Sequence, residues 1–201
     1  MTDMTDVAVI ILAAGQSTRF GKGNKLLRTV NGDPIIKHSV QAALNAKAGE
    51  VIVVTGHAAA DVEKALQGLP VTLIRNATPE IGMGTSLAVG ANAIRSLPSA
   101  VMIMLGDMPL IKPETLRTSA SSFTPDNGHD IVVPMYDGQR GHPVMFGAKY
   151  MPFLCALSGD EGARSVLQNH PERVRAINVD DPGTRYDIDT ESDLKDILSS
   201  A

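Results

Sequence analysis

The 201-residue chain has no tryptophan, and aromatic residues make up only 3% of it. Proteins that grip single-stranded nucleic acid stack bases on aromatic platforms, so this composition argues against that class. A single cysteine, Cys155, excludes an intrachain disulfide and a cysteine-based zinc cluster. Its neighbours in MPFLCAL are apolar, the setting of a buried inert thiol rather than a nucleophile. Positive charge is not in excess: the formal net charge is −4. There is thus no global field for DNA, RNA or an anionic membrane, and any anion site has to be built locally. The opening MTDMTD lacks the basic region of a signal peptide, and the apolar run after it, Val7 to Ala14, is too short to span a bilayer. These absences lead to the expectation of a cytoplasmic protein with no nucleic-acid or membrane partner.

What is present reads as an ordinary globular chain, 43% hydrophobic and 20% charged. Val7–Ala13 is a continuous apolar run closed by Gly15, the pattern of a strand buried on both faces. Pro34 to Ala46 reads as a helix with an apolar side. The segments EVIVVTG, VTLIRN and AVMIMLGD read as further strands. Helices are expected near Ala59–Leu66, after GMGTSL and in KPETLRTSASSF. This alternation predicts an α/β fold, with a mainly parallel sheet flanked by helices. DIVVPMY and HPVMFG form a later strand pair with no helix between them, which predicts an antiparallel insertion and hence a mixed sheet. ARSVLQNH, RVRAINV and ESDLKDILSS complete the chain as helix, strand and helix. No linker or repeat interrupts it, so residues 1–201 are expected to form one domain.

Six stretches carry polar residues at element ends. In ILAAGQSTRFGKGNKLL, a glycine-rich loop with Arg19, Lys22 and Lys25 follows the first strand, where open α/β sheets bind ligands. It matches neither the Walker A spacing nor the dinucleotide fingerprint. It is a phosphate loop or a solvated connection with incidental charges. GMGTSL has Gly82 and Gly84 but Leu87 where a third glycine belongs. Thr85 or Ser86 would cap the following helix, whose N-terminus attracts anions. In LGDMPL, Asp107 ends a strand as either a Mg²⁺ ligand or a turn residue. In RYDIDTESDL, Asp187 and Asp189 share a face if extended, while Asp189 or Thr190 also suits a helix cap. Arg140 and His142 in GQRGHPVMFG suit an anionic substrate or simple exposure. SGDEGARSVL is a turn into a helix, serving as a cap or a substrate loop.

Taken together in chain order, the six stretches make the chain resemble the molybdenum cofactor nucleotidyltransferases, specifically the cytidylyltransferase (MocA-like) branch, over roughly Val7 to Leu198. The resemblance implies a Rossmann-like nucleotidyltransferase fold. It also implies that CMP is moved from CTP to the phosphate of molybdopterin cofactor, with pyrophosphate released and Mg²⁺ as cofactor. By the same resemblance Leu12, Ala13, Ala14 and Gly15 line the nucleotide site, with Gly82, Gly84 and Ser86 at the base and sugar. Arg19 and Lys25 hold phosphates and, with Asp107, form the catalytic set. Asp107 and Asp189 are the metal ligands, and Arg140, His142 and Arg164 face the pterin. Ala14 stands where guanylyl-transferring relatives have glycine, which points to CTP. DIDTE replaces their asparagine-rich N-x-N-T-P, which leaves the choice between Asp187 and Asp189 open. A molybdenum hydroxylase apoenzyme is a further partner the resemblance suggests. The alternatives are a non-catalytic cofactor carrier for a xanthine dehydrogenase-type enzyme, a transferase using GTP or a sugar phosphate, and an NAD(P)-dependent oxidoreductase, which the broken fingerprint disfavours.

Overall fold

The computed structural model describes residues 2–200 apart from Lys22, without the side chains of Asp126 and Ser200; Lys22 of the glycine-rich loop therefore lies outside the described residues. The strands are β1 (Val7–Ala13), β2 (Thr29–Val30), β3 (Asp33–Pro34), β4 (Glu50–Thr55), β5 (Thr72–Arg75), β6 (Ala100–Leu105), β7 (Ile131–Tyr136), β8 (Gln139–Arg140), β9 (Val144–Gly147) and β10 (Val174–Asn178). The helices are α1 (Ile35–Asn45), α2 (Ala59–Ala65), α3 (Met83–Asn92), α4 (Pro113–Ser121), α5 (Met151–Cys155), α6 (Arg164–Asn169) and α7 (Glu191–Ser200). The main sheet runs β10-β7-β9-β6-β1-β4-β5, with β8 paired to β7, and β2 and β3 form a separate small hairpin. β1 lies parallel between β4 and β6, and β5 continues this parallel set. β9 alone on that path is reversed, antiparallel to both β6 and β7. This is the expected mixed, mainly parallel α/β sheet, and the reversed strand is the expected HPVMFG insertion.

β1 shows why the sheet sits at the centre. Val7, Val9, Ile11 and Ala13 belong to a core shared with α1, α2, α4 and α7, while Ala8 and Ile10 belong to a second core under α3, α5 and α6. Successive side chains of a strand point to opposite faces, so an unbroken apolar run feeds both cores at once. Each large aliphatic side chain so buried contributes about 1.5–3 kcal/mol. The parallel strands all end at one edge, and their polar connections gather there.

Three local expectations differ. Asp187–Asp189 is not a strand; it lies beside the end of β6, where Ile188 N–H donates to the Asp107 carbonyl at 3.0 Å and the Ile188 side chain is buried. α3 starts at Met83, so Thr85 and Ser86 lie inside it and neither caps it. α5 falls within MPFLCAL, a segment too short and too apolar for its periodicity to show helix. Among the described residues no helix is long and apolar enough to cross a membrane.

Candidate active site

The loop after β1 is shaped by two buried anchors and one cap. Ser17 adopts a left-handed conformation (φ 55°) ahead of a 3₁₀ turn, Thr18–Phe20, that buries Phe20. Asn24 then caps a second 3₁₀ turn, Lys25–Leu27, its side chain accepting from Leu26 N–H at 2.9 Å. Leu26 goes into the core, and its neighbour Lys25 is left in a cavity at the carboxyl edge of the sheet. The Ser17 hydroxyl accepts from Lys25 N–H at 3.2 Å, so the two ends of the loop are tied together.

Lys25 is the centre of a chain of ion pairs. Its Nζ lies 2.6 Å from Asp107 Oδ2 and 2.9 Å from Asp189 Oδ1, while Arg19 reaches the other Asp189 oxygen at 2.9 Å. Burial alone would lower the Lys25 ammonium, but Asp107 and Asp189 outweigh it and hold the group above its ordinary value. Burial pushes the Asp107 carboxyl up; Lys25 pulls it back, and Asp187 adds a further upward push. The inner members of the chain are largely shielded, whereas the Arg19 side chain is 73% exposed and free to follow a ligand.

Each acidic residue is set in place by its neighbours. Asp107 follows the end of β6 after a single residue, Gly106. Asp189 precedes α7, whose start is closed by reciprocal bonds: Asp193 N–H donates to the Thr190 hydroxyl at 3.2 Å, and Thr190 N–H donates to the Asp193 carboxylate at 2.7 Å. Of the alternatives weighed from sequence, Thr190 is therefore the cap, and Asp189 faces the cavity. Asp107 Oδ1 is buried with no hydrogen-bond partner. Among the described residues no three His, Cys, Asp or Glu side chains form a closed metal cage. Magnesium does not require one, since it takes one or two carboxylates and completes its shell with water and phosphate. The unpartnered Asp107 oxygen, on one of two aspartates that line the cavity, fits such an ion.

The opposite wall is built by α3 and the 158–162 loop. Gly84 N–H at the start of α3 donates to the Gly159 carbonyl at 2.8 Å. A Cβ on Gly84 would lie 2.5 Å from the Glu161 carbonyl oxygen, and one on Gly82 would lie 2.4 Å from Asp160 Oδ1. The two glycines of GMGTSL thus let this loop close over the helix end. Ser86 accepts from the buried Asn76 amide at 3.0 Å.

Leu12, Ala13, Ala14, Gly15, Arg19, Lys25, Gly82, Ser86, Asp107 and Asp189 all line this one cavity of about 470 Å³. Gly84 is buried behind its wall. Arg140, on β8, and Arg164, at the start of α6, are exposed and do not line it. His142 is half-buried; its Nδ1 is shut off from solvent and unpartnered. Burial pulls its imidazole below the usual range, against a hydrogen bond with the Ile103 backbone and the nearby charges of Asp107 and Asp187. Asp160 lines the cavity, although sequence reasoning assigned the GDEGAR stretch's substrate role to Arg164. Both lie in the same short motif, and only the path of the loop tells them apart.

The chain is 28% identical to nicotine blue oxidoreductase of Paenarthrobacter nicotinovorans over 98% of both chains. It is 31% identical to the bifunctional protein GlmU of Jannaschia sp. over 70% of its own length, which spans about a third of that longer protein (32%). Among solved structures, Rv0371c of Mycobacterium tuberculosis H37Rv superposes with a TM-score of 0.81 at 26% identity, covering 96% of this chain and 97% of that one; Rv0371c has also been solved with manganese. A glycine loop after a buried strand, two cations facing two carboxylates and a mixed sheet agree with the family model that matches residues 9–174, and the chain belongs to the MobA-like NTP transferase domain family.

Proposed function

We propose that this nucleotidyltransferase moves CMP from CTP to the terminal phosphate of molybdopterin cofactor, forming molybdopterin cytosine dinucleotide. The observation that carries the reading is the Asp107–Lys25–Asp189–Arg19 chain beside the β1 loop. It gathers two cations and two carboxylates where phosphates would lie, and it offers no covalent nucleophile. In this reaction a phosphate oxygen of the acceptor bonds to the α-phosphorus of CTP, and the bond to pyrophosphate breaks. The protein's task is alignment and charge screening. Lys25, fixed by Asp107 and Asp189, holds the reacting phosphates, and exposed Arg19 leaves Asp189 to follow the β- and γ-phosphates. Backbone N–H groups of Ala14 and Gly15 approach the nucleotide, and α3 receives its base and sugar. Magnesium held by Asp107 and Asp189 would polarise the α-phosphate and screen the leaving pyrophosphate. The manganese complex of Rv0371c supports a divalent cation in this role.

Ala14, buried in the cavity wall, supports CTP through the branch resemblance. Arg140, His142 and Arg164 meet the part of the pterin that extends beyond the cavity. The natural setting proposed is the cytoplasm, with residues 1–201 acting as one unit and the product passed to a molybdenum hydroxylase apoenzyme. One relative favours a second reading: the name of nicotine blue oxidoreductase implies redox chemistry, and its similarity covers nearly the full length.

Thermal denaturation with CTP, UTP, GTP, ATP, NAD or NADPH, each with and without Mg²⁺, separates the two. A ligand at 100 times its Kd stabilises the native state by about 2.7 kcal/mol. A Mg²⁺-dependent rise in Tm with CTP above all others is expected. A rise with NAD or NADPH alone would replace the transferase reading with the oxidoreductase one.

A further inference from the structure

The cavity has two chemically different ends, on opposite faces of the sheet. Lys25 is carried by a turn whose Leu26 packs in the core shared with α1, whereas Gly82, Met83 and Ser86 belong to the α3 side, where Leu87 enters the other core. Among the described residues, the basic side chains that line the cavity, Arg19 and Lys25, are both engaged with Asp189. On the α3 side the lining includes two carboxylates, Glu80 and Asp160, and among the described residues neither forms an ion pair. The N-terminus of α3 does not offer Gly84 N–H to a phosphate, because the Gly159 carbonyl takes it at 2.8 Å. The next residue, Asp160, then brings a negative charge to that helix end: its Oδ1 lies 2.4 Å from where a Gly82 Cβ would be. A phosphate at this end would meet like charge and a donor already used. A neutral group that donates hydrogen bonds would meet an acceptor.

We propose that Asp160 determines nucleotide choice, its carboxylate accepting a hydrogen bond from the exocyclic amino group of the cytosine base. This rests on the CTP reading above and deepens it. Cytosine and uracil differ at that position by an amino group against a carbonyl oxygen. A carboxylate attracts the first and repels the second, so Asp160 admits CTP and rejects UTP. Glu80 and Asp160 are both exposed at the rim of the cavity, and Glu80 adds to the same sign of field. The loop that carries Asp160 reaches the helix only because residues 82 and 84 lack side chains, which couples the glycines of GMGTSL to the selectivity of the site.

The test is equilibrium titration of CTP, UTP and 2′-deoxy-CTP in the presence of Mg²⁺, with the wild-type chain, Asp160→Asn and Asp160→Ala; no pterin substrate is needed. A hydrogen bond to a charged group is worth enough to predict that Asp160→Asn narrows the CTP-over-UTP ratio by about tenfold. Much of that change should come from tighter UTP binding, since an amide can turn its N–H₂ toward the uracil oxygen. A disturbed loop would instead weaken both nucleotides together, and that result overturns the assignment. So does an unchanged CTP-over-UTP ratio accompanied by a reduced preference for CTP over its 2′-deoxy form, which would place Asp160 on the ribose. If the wild-type chain binds neither pyrimidine nucleotide but binds GTP or NADPH, the CTP reading itself fails and this proposal with it. If the wild-type chain selects CTP and Asp160→Asn keeps the full ratio, only the role of Asp160 fails.

Discussion

Lys25 and Asp107 are matched in charge but not in cost. The ammonium is pulled down by burial and pulled up further by two carboxylates, so its pKa stands above the ordinary value. Its share of stability is in place below the unfolded pKa and is lost as pH rises through the folded one. The Asp107 carboxyl is raised by burial and by Asp187 in spite of Lys25. A group that holds its proton more tightly when folded favours the native state most when protonated; its ionisation costs stability as pH climbs from the unfolded pKa through the raised one. Asp107→Asn fixes the uncharged form and keeps the shape, and Lys25 still has Asp189. At neutral pH its Tm is therefore expected to equal or exceed that of the wild type. Turnover should fall by about 100-fold or more, the usual consequence of removing a preorganised charge contact. Paired melting curves and initial rates check this: a clear loss of Tm would show that the Lys25–Asp107 pair holds the fold together, and near-normal turnover would remove Asp107 from the catalytic set. The residue types were legible in sequence, since a strand-end aspartate and a loop lysine are visible there. Their 2.6 Å contact was not, because residues 25 and 107 meet only when β1 and β6 pair.

At the scale of an element, the start of α7 shows how a helix cap serves a site one residue away. Thr190 and Asp193 exchange hydrogen bonds, and Asp193 also accepts from Asp189 N–H at 2.9 Å. These bonds hold the Asp193 carboxyl below its ordinary value, so their contribution is present above the unfolded pKa and is lost as pH falls through the folded one. Thr190→Ala is expected to cost about 1 kcal/mol of stability, a typical loss for a capping hydroxyl. It should also lower kcat, because the backbone that aims Asp189 at Lys25 loses its anchor. Denaturant unfolding with parallel kinetics tests the coupling; a stability loss with unchanged kcat would make the cap purely structural. A cap at Asp189 or Thr190 was legible in RYDIDTESDL, but which of the two closes the helix was decided only by the bonds between Thr190 and Asp193. The capped start of α3 was misread for an identifiable reason. Its partner is the Gly159 carbonyl, distant in sequence, and a local hydroxyl next to a glycine looks like a better cap than it is.

The whole molecule sets where an acceptor has to lie. Arg140 and Arg164 are exposed and outside the cavity, so if they meet the pterin they do so beyond the nucleotide. Arg140→Ala and Arg164→Ala are expected to leave CTP affinity unchanged and to raise the KM for the acceptor by about tenfold or more, in line with about 1.5–3 kcal/mol for a hydrogen bond involving a charged group. Equal KM values with and without the arginines would move the acceptor elsewhere. Strand and helix order, the parallel core and the reversed β9 followed from apolar runs of strand length alternating with helical periodicity. That pattern is local, and it survives in one dimension. The run Val7–Ala13 by itself dictated a strand buried on both faces, and the glycines and lysines after it dictated a polar loop at its end. Only the tertiary structure decided which of the scattered carboxylates share a cavity, that Asp160 rather than Arg164 enters it, and that Lys25 stands between two aspartates 82 and 164 positions away along the chain. The physical reason is that sheet pairing brings strand ends together without regard to sequence separation, and the charge on a group is then set by neighbours that no local pattern contains.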